Sequence, residues 1–447
     1  MNISDFKVIE KVLDPYKIYN LYYFQPVKGF CLDSRSLRKG DAFIALAGKY
    51  KDGHDFIKMA VKKGAVLIIT AKYIKTKPKV PQFIVQDTTH ALERIILFLR
   101  KKHKKTTVFA ITGSLGKTTT KEMLSFLLQP YKNILKNRAS ENNIFGVAKT
   151  IFSYNNQNSI IFELGTNQIG EIKNLAKMIQ PNIGVITCIK PAHLAGLGSV
   201  DKIKKEKLSM FEDNQKMRAV LNGDDKMLSG LKLKNKTFWY GKNKKNHLYY
   251  KLEKRKDDKI HFKILDKYNL IVPIRFENFI SNYLAAISAA HILGIPYRDL
   301  IQRLNNFNSF SSMRMEKRII GSYTILNDAY NANPYSFEQS LSVVKRFKIP
   351  KVVIAADMLE LGSKTEYYHR KLAAQIYGIG CQYCVTYGNN SKITNKQLKI
   401  LGHKNVFHFF SQKKIASFLK QKLKNKNYLI FLKGSRKMQL EKIVKYL

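Results

Sequence analysis

The sequence predicts an α/β protein of three domains, each built around a sheet of mainly parallel strands. Three observations carry that prediction. Residues Val108–Thr120 run from an apolar, β-branched stretch through Gly113-Ser114-Leu115-Gly116 into a helical segment, KEMLSFLLQ. Short apolar strand candidates then alternate with helical stretches to the C-terminus, the pattern of sheets covered on both faces. At 447 residues, the chain has room for about two to four domains of roughly 100–200 residues each.

Residues 1–105 read as a small α/β domain. Its strand candidates are DAFIAL (Asp41–Leu46), AVLIIT (Ala65–Thr70) and QFIVQ (Gln82–Gln86), and a helical stretch from Ala91 leads into a basic linker. Residues 106–311 open on the glycine-rich turn, with further strands expected at Ser159–Gly165, Asn182–Ile189 and Arg218–Asp225. Between Thr237 and Ile274 the pattern alternates and carries charge, which predicts a small antiparallel excursion. The helical stretch Asn282–Ile295 closes this central, P-loop ATPase-like block. Residues 312–447 repeat the strand-helix logic at Tyr323–Asp328, Lys351–Asp357, Gln382–Gly388 and Asn427–Gly434, predicting a Rossmann-like domain. No Gly-x-Gly-x-x-Gly follows its first strand, which argues against dinucleotide binding there.

Composition narrows the function classes. No run of about 18 apolar residues appears, so no transmembrane helix is expected. The N-terminus lacks the apolar centre of a signal peptide, so the expected compartment is the cytoplasm. Four cysteines make no disulfide framework. A zinc role for Cys381-x-x-Cys384 would need two further ligands at recognisable spacing, and CQYCVTYG reads better as a buried strand. The formal charge of +47 is mostly Lys, is spread from Lys7 to Lys445, and accompanies many Asn, Ile, Tyr and Phe residues. Those are the residues of A/T-rich codons. Composition bias explains the charge better than a nucleic-acid partner, and none is expected.

The chemistry centres on the glycine-rich turn. Backbone N–H groups of such a turn point at nucleotide phosphates, Lys117 neutralises them, and a Thr hydroxyl reaches Mg²⁺. GxxxxGK[ST] would put its first glycine at Ile111, so this loop is shorter than the general pattern. Glu163 ends a strand at the edge where ligands of open α/β sheets gather. It suits Mg²⁺ as a hard oxygen donor, or serves merely as a surface residue. His193 follows the next strand in the same way. In the third block, Asn327–Pro334 joins a strand to a helix start, where Asn and Asp either cap the helix or contact a nucleotide. Lys433, Ser435 and Arg436 follow a strand at a helix N-terminus, a carboxylate or phosphate site or plain surface charge.

Together, DSRSLRKGDAFIALAGKYKDGHDFI (Asp33–Ile57), TGSLGKTTTKEM, ENNIFGV (Glu141–Val147), FELGTNQIGEI (Phe162–Ile172), PAHLAGLGS, NDAYNANPYSF, DMLELG (Asp357–Gly362) and KGSRKMQLE resemble the Mur ligase family of ATP-dependent amino-acid and peptide ligases. Within it, YNANP followed by DMLELG favours the branch that adds D-alanyl-D-alanine to UDP-N-acetylmuramoyl-tripeptide. The resemblance implies that Gly113, Ser114, Leu115, Gly116, Lys117, Thr118 and Thr119 hold the ATP phosphates. It implies two Mg²⁺ ions, one on Thr118 and Glu163, the other on His193 and a carbamylated Lys207. Asn282 would lie near the adenine, and Arg314, Asp328, Tyr330 and Asn331 would close over the nucleotide. Lys117, His193 and Lys207 would be catalytic. Ser34, Arg35, Asp52 and His54 would face the UDP-sugar. Asn142, Asn143, Asn333, Lys433, Ser435 and Arg436 would complete the substrate contacts. A monomer is the simplest assembly.

The chain departs from the family pattern at Lys190, where glycine is usual, and at Ala195, Ser209, Asn327 and Ala148. None of these is among the implied metal ligands. The alternatives are a sister Mur-type ligase and, motivated by charge and phosphate loop, a nucleic-acid-stimulated ATPase.

Overall fold

The computed structural model describes residues 5–48, 51–138, 141–191, 194–308, 313–424 and 426–447. Its strands fall into three sheets, in line with the three predicted α/β blocks. The first contains β1 (Lys17–Tyr19), β2 (Gly29–Cys31), β3 (Asp41–Ile44), β4 (Leu67–Thr70) and β5 (Gln82–Ile84). Its order is β1-β5-β4-β3-β2, all parallel except the β1–β5 pair.

The central sheet contains β6 (Thr107–Thr112), β7 (Ile134–Lys136), β8 (Ser159–Glu163), β9 (Ile183–Ile186), β10 (Arg218–Asn222), β11 (Thr237–Gly241), β12 (Leu248–Lys256), β13 (Lys259–Ile264) and β14 (Tyr268–Pro273). The strand order is β14-β13-β12-β11-β10-β9-β6-β8-β7. Val108, Phe109, Ala110 and Ile111 in β6 are fully buried, as befits a central parallel strand covered on both faces. The antiparallel excursion is shorter than its charge pattern suggests. β11 pairs parallel with β10 and with β12, and antiparallel pairing starts only at the β12–β13 hairpin. Burial alternates along β13, the mark of a strand with one wet face.

The third sheet contains β15 (Glu316–Ile320), β16 (Tyr323–Asn327), β17 (Lys351–Ala356), β18 (Tyr383–Tyr387), β19 (Val406–Phe409) and β20 (Tyr428–Lys433). Its order is β15-β16-β20-β17-β18-β19, with β15 an antiparallel edge strand. Cys384 lies in β18 and is completely buried, with Cys381 just before the strand. The buried-strand reading of this CxxC therefore holds for Cys384, while the Cys381 thiol meets the His403 ring at 3.4 Å.

Two helices join the central domain to its glycine-rich loop. Helix Lys117–Leu128 leaves β6 through the glycine turn, and helix Ile280–His291 packs along it. The second helix is rich in alanine (Ala285, Ala286, Ala289, Ala290), which lets it approach Met123, Leu124 and Leu127 closely in one shared core. That core continues past Phe276 into Leu326, Phe337 and Phe431 of the C-terminal domain. A second core joins Ile44, Leu67 and Phe83 of the first domain to Val108, Ile160 and Phe162 of the central one. Apolar packing thus crosses both domain junctions. Among the described residues, no helix is long and apolar enough to cross a membrane.

Candidate functional site

The glycine loop is shaped by positions that reject a side chain. Gly113 and Gly116 have φ of +146° and +78°. A Cβ on Gly113 would stand 1.9 Å from the Thr187 hydroxyl, and one on Gly116 2.1 Å from the Asn282 amide nitrogen. Glycine is required at both for backbone conformation and for space. Ser114 ties the loop to the end of β9. Its N–H donates to the Cys188 carbonyl at 2.9 Å. Its hydroxyl donates to the Lys190 carbonyl at 2.8 Å and accepts from the Lys190 N–H at 2.9 Å. The Leu115 carbonyl accepts from Thr187. Lys117 donates to the Gly113 carbonyl at 2.8 Å, holding its ammonium over the loop. Burial pushes the pKa of Lys117 down, and the nearby Glu163 opposes that shift.

Behind the loop sits a buried oxygen cluster. The Thr118 hydroxyl donates to one oxygen of Glu163 at 2.6 Å, and the Asn142 amide donates to the other at 3.2 Å. Glu163 is 2% exposed at the end of β8, and Thr119 is buried in the same helical turn as Thr118. Thr118, Asn142 and Glu163 all line the cavity described below. A hydroxyl beside a carboxylate at the glycine-loop end of a cavity is a hard-donor set that fits Mg²⁺. His193 lies outside the described residues. Lys207 lies in helix Val200–Leu208 and is 3% exposed, whereas its neighbours Lys202 and Lys205 are exposed and Lys204 is half-buried. Burial, with Lys117 nearby, lowers the Lys207 pKa to about 7. Glu206 beside it accepts from Thr166, Gly170 and Ile172, which anchors the helix to the loop after β8.

A cavity of about 660 Å³ separates this loop from the C-terminal domain. Ser114 to Thr119 and Asn282 line one wall, and Arg314, Asp328, Tyr330, Asn331 and Asn333 the facing one. Asn282 donates to the Gly116 carbonyl at 3.3 Å and to the Thr120 hydroxyl at 3.0 Å, so it braces the loop from the second helix. The Arg314 guanidinium carbon stands 3.9 Å from the Tyr330 ring centroid. Its Nε is buried without a hydrogen-bond partner among the described residues. A buried donor left open at a cavity wall suits an anionic ligand.

Several expected ligand contacts have structural partners. Asp328 accepts from the Met315 N–H at 3.1 Å, from the Ser340 hydroxyl at 2.6 Å and from the Lys433 ammonium. Lys433 therefore reaches the cavity wall with its charge already paired. Asn331 accepts from the Ala332 N–H at 2.9 Å. Asn333 caps helix Pro334–Val344 in a reciprocal box with Ser336, and Asn143 caps helix Ile144–Phe152. For these two the capping role is realised. The Ser435 hydroxyl accepts from the Leu359 N–H at 2.9 Å, and Arg436 pairs with Glu441 at 2.7 Å. Neither lines the cavity.

Ser34, Arg35, Asp52 and His54 belong to the first domain and do not line this cavity either. Ser34 is buried, and Arg35 pairs with Asp33 at 2.7 Å, holding the Asp33 pKa near 2. His54 lies 2.5 Å from Asp52 through Nδ1 and accepts from the Ala71 N–H through Nε2. Both ring nitrogens are committed to the fold.

Other residues reach the cavity without having been singled out as site residues from sequence. Lys190 pairs with buried Asp225 at 3.3 Å, and its ammonium lies 5.7 Å from the Tyr335 ring centroid. Asn222, Asp224 and Asp225 follow β10, and Glu360, Tyr368, Lys371 and Gln375 line the C-terminal side. The polar run Asn222-Gly-Asp-Asp at a strand end was the available signal for the first group.

Fold and cavity define a three-domain α/β protein whose glycine-rich loop faces the third domain across one cavity. The chain belongs to the Mur ligase family. Residues 26–98 match the Mur ligase family catalytic domain, 111–290 the Mur ligase middle domain and 313–436 the Mur ligase glutamate ligase domain. It is 32% identical over 424 residues to the UDP-N-acetylmuramoyl-tripeptide–D-alanyl-D-alanine ligase of Buchnera aphidicola subsp. Baizongia pistaciae, covering 93% of this chain and 91% of that one. To the Bacillus subtilis protein of the same name it is 30% identical over 431 residues, covering 94% and 93%. The structure of MurF from Acinetobacter baumannii superposes with a TM-score of 0.87 at 25% identity, over 98% of this chain and 97% of that one. A MurF ligase from Thermotoga maritima in complex with ADP shares the fold, with a TM-score of 0.84 at 24% identity over 96% and 97%.

Proposed function

We propose that this chain is an ATP-dependent ligase that joins D-alanyl-D-alanine to the terminal carboxylate of UDP-N-acetylmuramoyl-tripeptide in peptidoglycan precursor synthesis. The observation that carries this reading is the end-to-end likeness to ligases of that name, together with a phosphate loop facing the C-terminal domain across one cavity. Residues 1–105 would hold the UDP-sugar, 106–311 the ATP chemistry, and 312–447 the outer face of the nucleotide and the incoming dipeptide.

The chemistry is amide formation through an acyl phosphate. A carboxylate oxygen of the tripeptide attacks the γ-phosphorus, the bond to the bridging oxygen breaks, and ADP leaves. The dipeptide amine then attacks the acyl carbon, the bond to phosphate breaks, and the amine loses a proton. The loop N–H groups and Lys117 orient the phosphates and offset the charge that spreads over the transferring group. Arg314 over Tyr330 supplies a cation from the facing domain. Thr118 and Glu163 would hold one Mg²⁺, and His193 with a carbamate on Lys207 a second. Bound there, the metal ions would neutralise phosphate charge. Two features support Lys207: its burial among exposed or half-buried lysines, and a lowered pKa that leaves the neutral amine that CO₂ needs. The rival for that role is Lys204, tested by mass spectrometry of the intact helix peptide from protein kept in bicarbonate. Closure of the third domain would exclude water from the acyl phosphate.

The test is phosphate release with ATP, Mg²⁺ and UDP-N-acetylmuramoyl-tripeptide. Release that requires D-alanyl-D-alanine and yields the pentapeptide product supports the reading. Release driven by a single amino acid would move the chain to a sister ligase, and release driven by DNA would overturn the reading.

A further inference from the structure

Lys121 lies one turn beyond the phosphate loop and is 0% exposed. It does not line the cavity. A buried ammonium is costly unless charges and hydrogen bonds answer it. Its partners answer both. Nζ donates to the Asn137 carbonyl at 2.7 Å and stands 3.4 Å from Oε2 of Glu163, the oxygen that also accepts from Thr118.

Asn137, itself 2% exposed, grips the backbone of the same glutamate. Its Oδ1 accepts from the Glu163 N–H at 2.8 Å, and its Nδ2 donates to the Glu163 carbonyl at 2.9 Å and the Glu141 carbonyl at 2.7 Å. Lys121 therefore touches Glu163 twice over, directly at the carboxylate and through Asn137 at the main chain. Helix Lys117–Leu128 begins at the loop, so the lysine also fixes the distance between Thr118 and the end of β8. An apolar residue would fill the space without either contact.

We infer that Lys121 is a positioning residue for the cation-binding carboxylate, aiming Glu163 beside Thr118 from the side away from the nucleotide. The inference rests on reading Glu163 as a Mg²⁺ ligand. Groups that orient metal ligands from behind typically cost about 10–100-fold in metal affinity or activity when removed.

The experiment uses the full chain with Lys121→Met, Lys121→Gln, Lys121→Arg and Glu163→Gln. ADP binding is titrated calorimetrically with and without Mg²⁺, next to thermal melts and the Mg²⁺ dependence of turnover. In Lys121→Met and Lys121→Gln, ADP should bind as in the parent without Mg²⁺. The tightening that Mg²⁺ confers should fall by about tenfold or more, with a raised half-saturating Mg²⁺ concentration. Lys121→Arg should recover part of the loss. Parental Mg²⁺ dependence in a folded Met or Gln variant would overturn the inference, and so would failure of both to fold, which would make the role structural. Full Mg²⁺ tightening in Glu163→Gln would instead sink the metal assignment beneath it. Dipeptide-dependent ligation by the parent chain stands apart from either result.

Discussion

Lys117 is the residue whose loss should separate chemistry from folding. Its ammonium is held by one backbone carbonyl of its own loop, so a shorter side chain disturbs little packing while removing the cation proposed to face the phosphates. Lys117→Ala should lower ATP-dependent ligation by about 10² or more, with an unchanged circular dichroism spectrum and melting temperature. Arg314 is the counterpart across the cavity. Arg314→Ala removes the stacked guanidinium and its open Nε. ATP affinity should fall by about tenfold to a hundredfold, the worth of a charge-assisted contact of ~1.5–3 kcal/mol. At this scale the sequence was informative about residue type and less so about partners. The Gly113–Thr119 loop and Glu163 stand in local motifs and can be picked out from sequence, whereas Asn282 and Arg314 enter only through the family resemblance. The pairing of Asp328 with Lys433 joins residues far apart in the chain, and no local pattern reveals it. Lys121 looked like an ordinary helix lysine, because burial depends on what β7 and β8 place beside it.

Elements explain why these groups stay in place. Gly116 must adopt a positive φ to turn β6 into helix Lys117–Leu128 while letting Asn282 approach. Gly116→Ala should cost about 1–3 kcal/mol of stability and weaken nucleotide binding, checked by denaturant unfolding and ADP titration. Helix Thr365–Tyr377 carries fully buried His369, whose Nε2 accepts from the Met358 N–H at 3.4 Å and whose Nδ1 meets Thr394 at 2.9 Å. It supports the loop that brings Leu359, Glu360 and Leu361 to the cavity. Burial holds the His369 pKa below its usual value. The unfolded chain therefore binds the proton more readily, and stability falls as pH drops below about 6.5 toward the folded pKa, by at most ~1.4 kcal/mol per pH unit. His369→Gln should flatten that slope in melting curves taken between neutral and mildly acidic pH. Most strands were legible because parallel strands buried on both faces read as apolar runs. β1, β2, β7 and β19 were missed because they are three or four residues long and, unlike the equally short β4 and β5, are not buried throughout. β15 was missed because an exposed edge strand such as Glu316–Ile320 lacks that apolar signature.

Across the whole molecule, two cores span the domain junctions and one cavity lies between the central and C-terminal domains. The Lys190 ammonium lies between Asp225 of the central domain and the Tyr335 ring of the C-terminal one. Tyr335→Ala should loosen that junction and raise the phosphate released per peptide bond formed, because water then reaches the acyl phosphate more often. The +47 charge is distributed over all three domains, so DNA should leave the rate of phosphate release unchanged at physiological salt. Family membership was legible from short motifs, and those that hold Ser114–Thr119, Asn142, Glu163, Tyr330–Pro334 and Leu359–Leu361 meet at one cavity. The first-domain residues Ser34, Arg35, Asp52 and His54 lie away from that cavity, and their role toward the UDP-sugar rests on the family resemblance alone.

In the proposed reaction, ATP activates a peptide carboxylate through an acyl phosphate. The most direct measurement places heavy oxygen in the terminal carboxylate of UDP-N-acetylmuramoyl-tripeptide and follows it through one turnover with ATP, Mg²⁺ and D-alanyl-D-alanine. One labelled oxygen should appear in the released phosphate, with the other retained in the new amide carbonyl. Phosphate free of label, formed while the dipeptide is joined, would rule out the acyl phosphate.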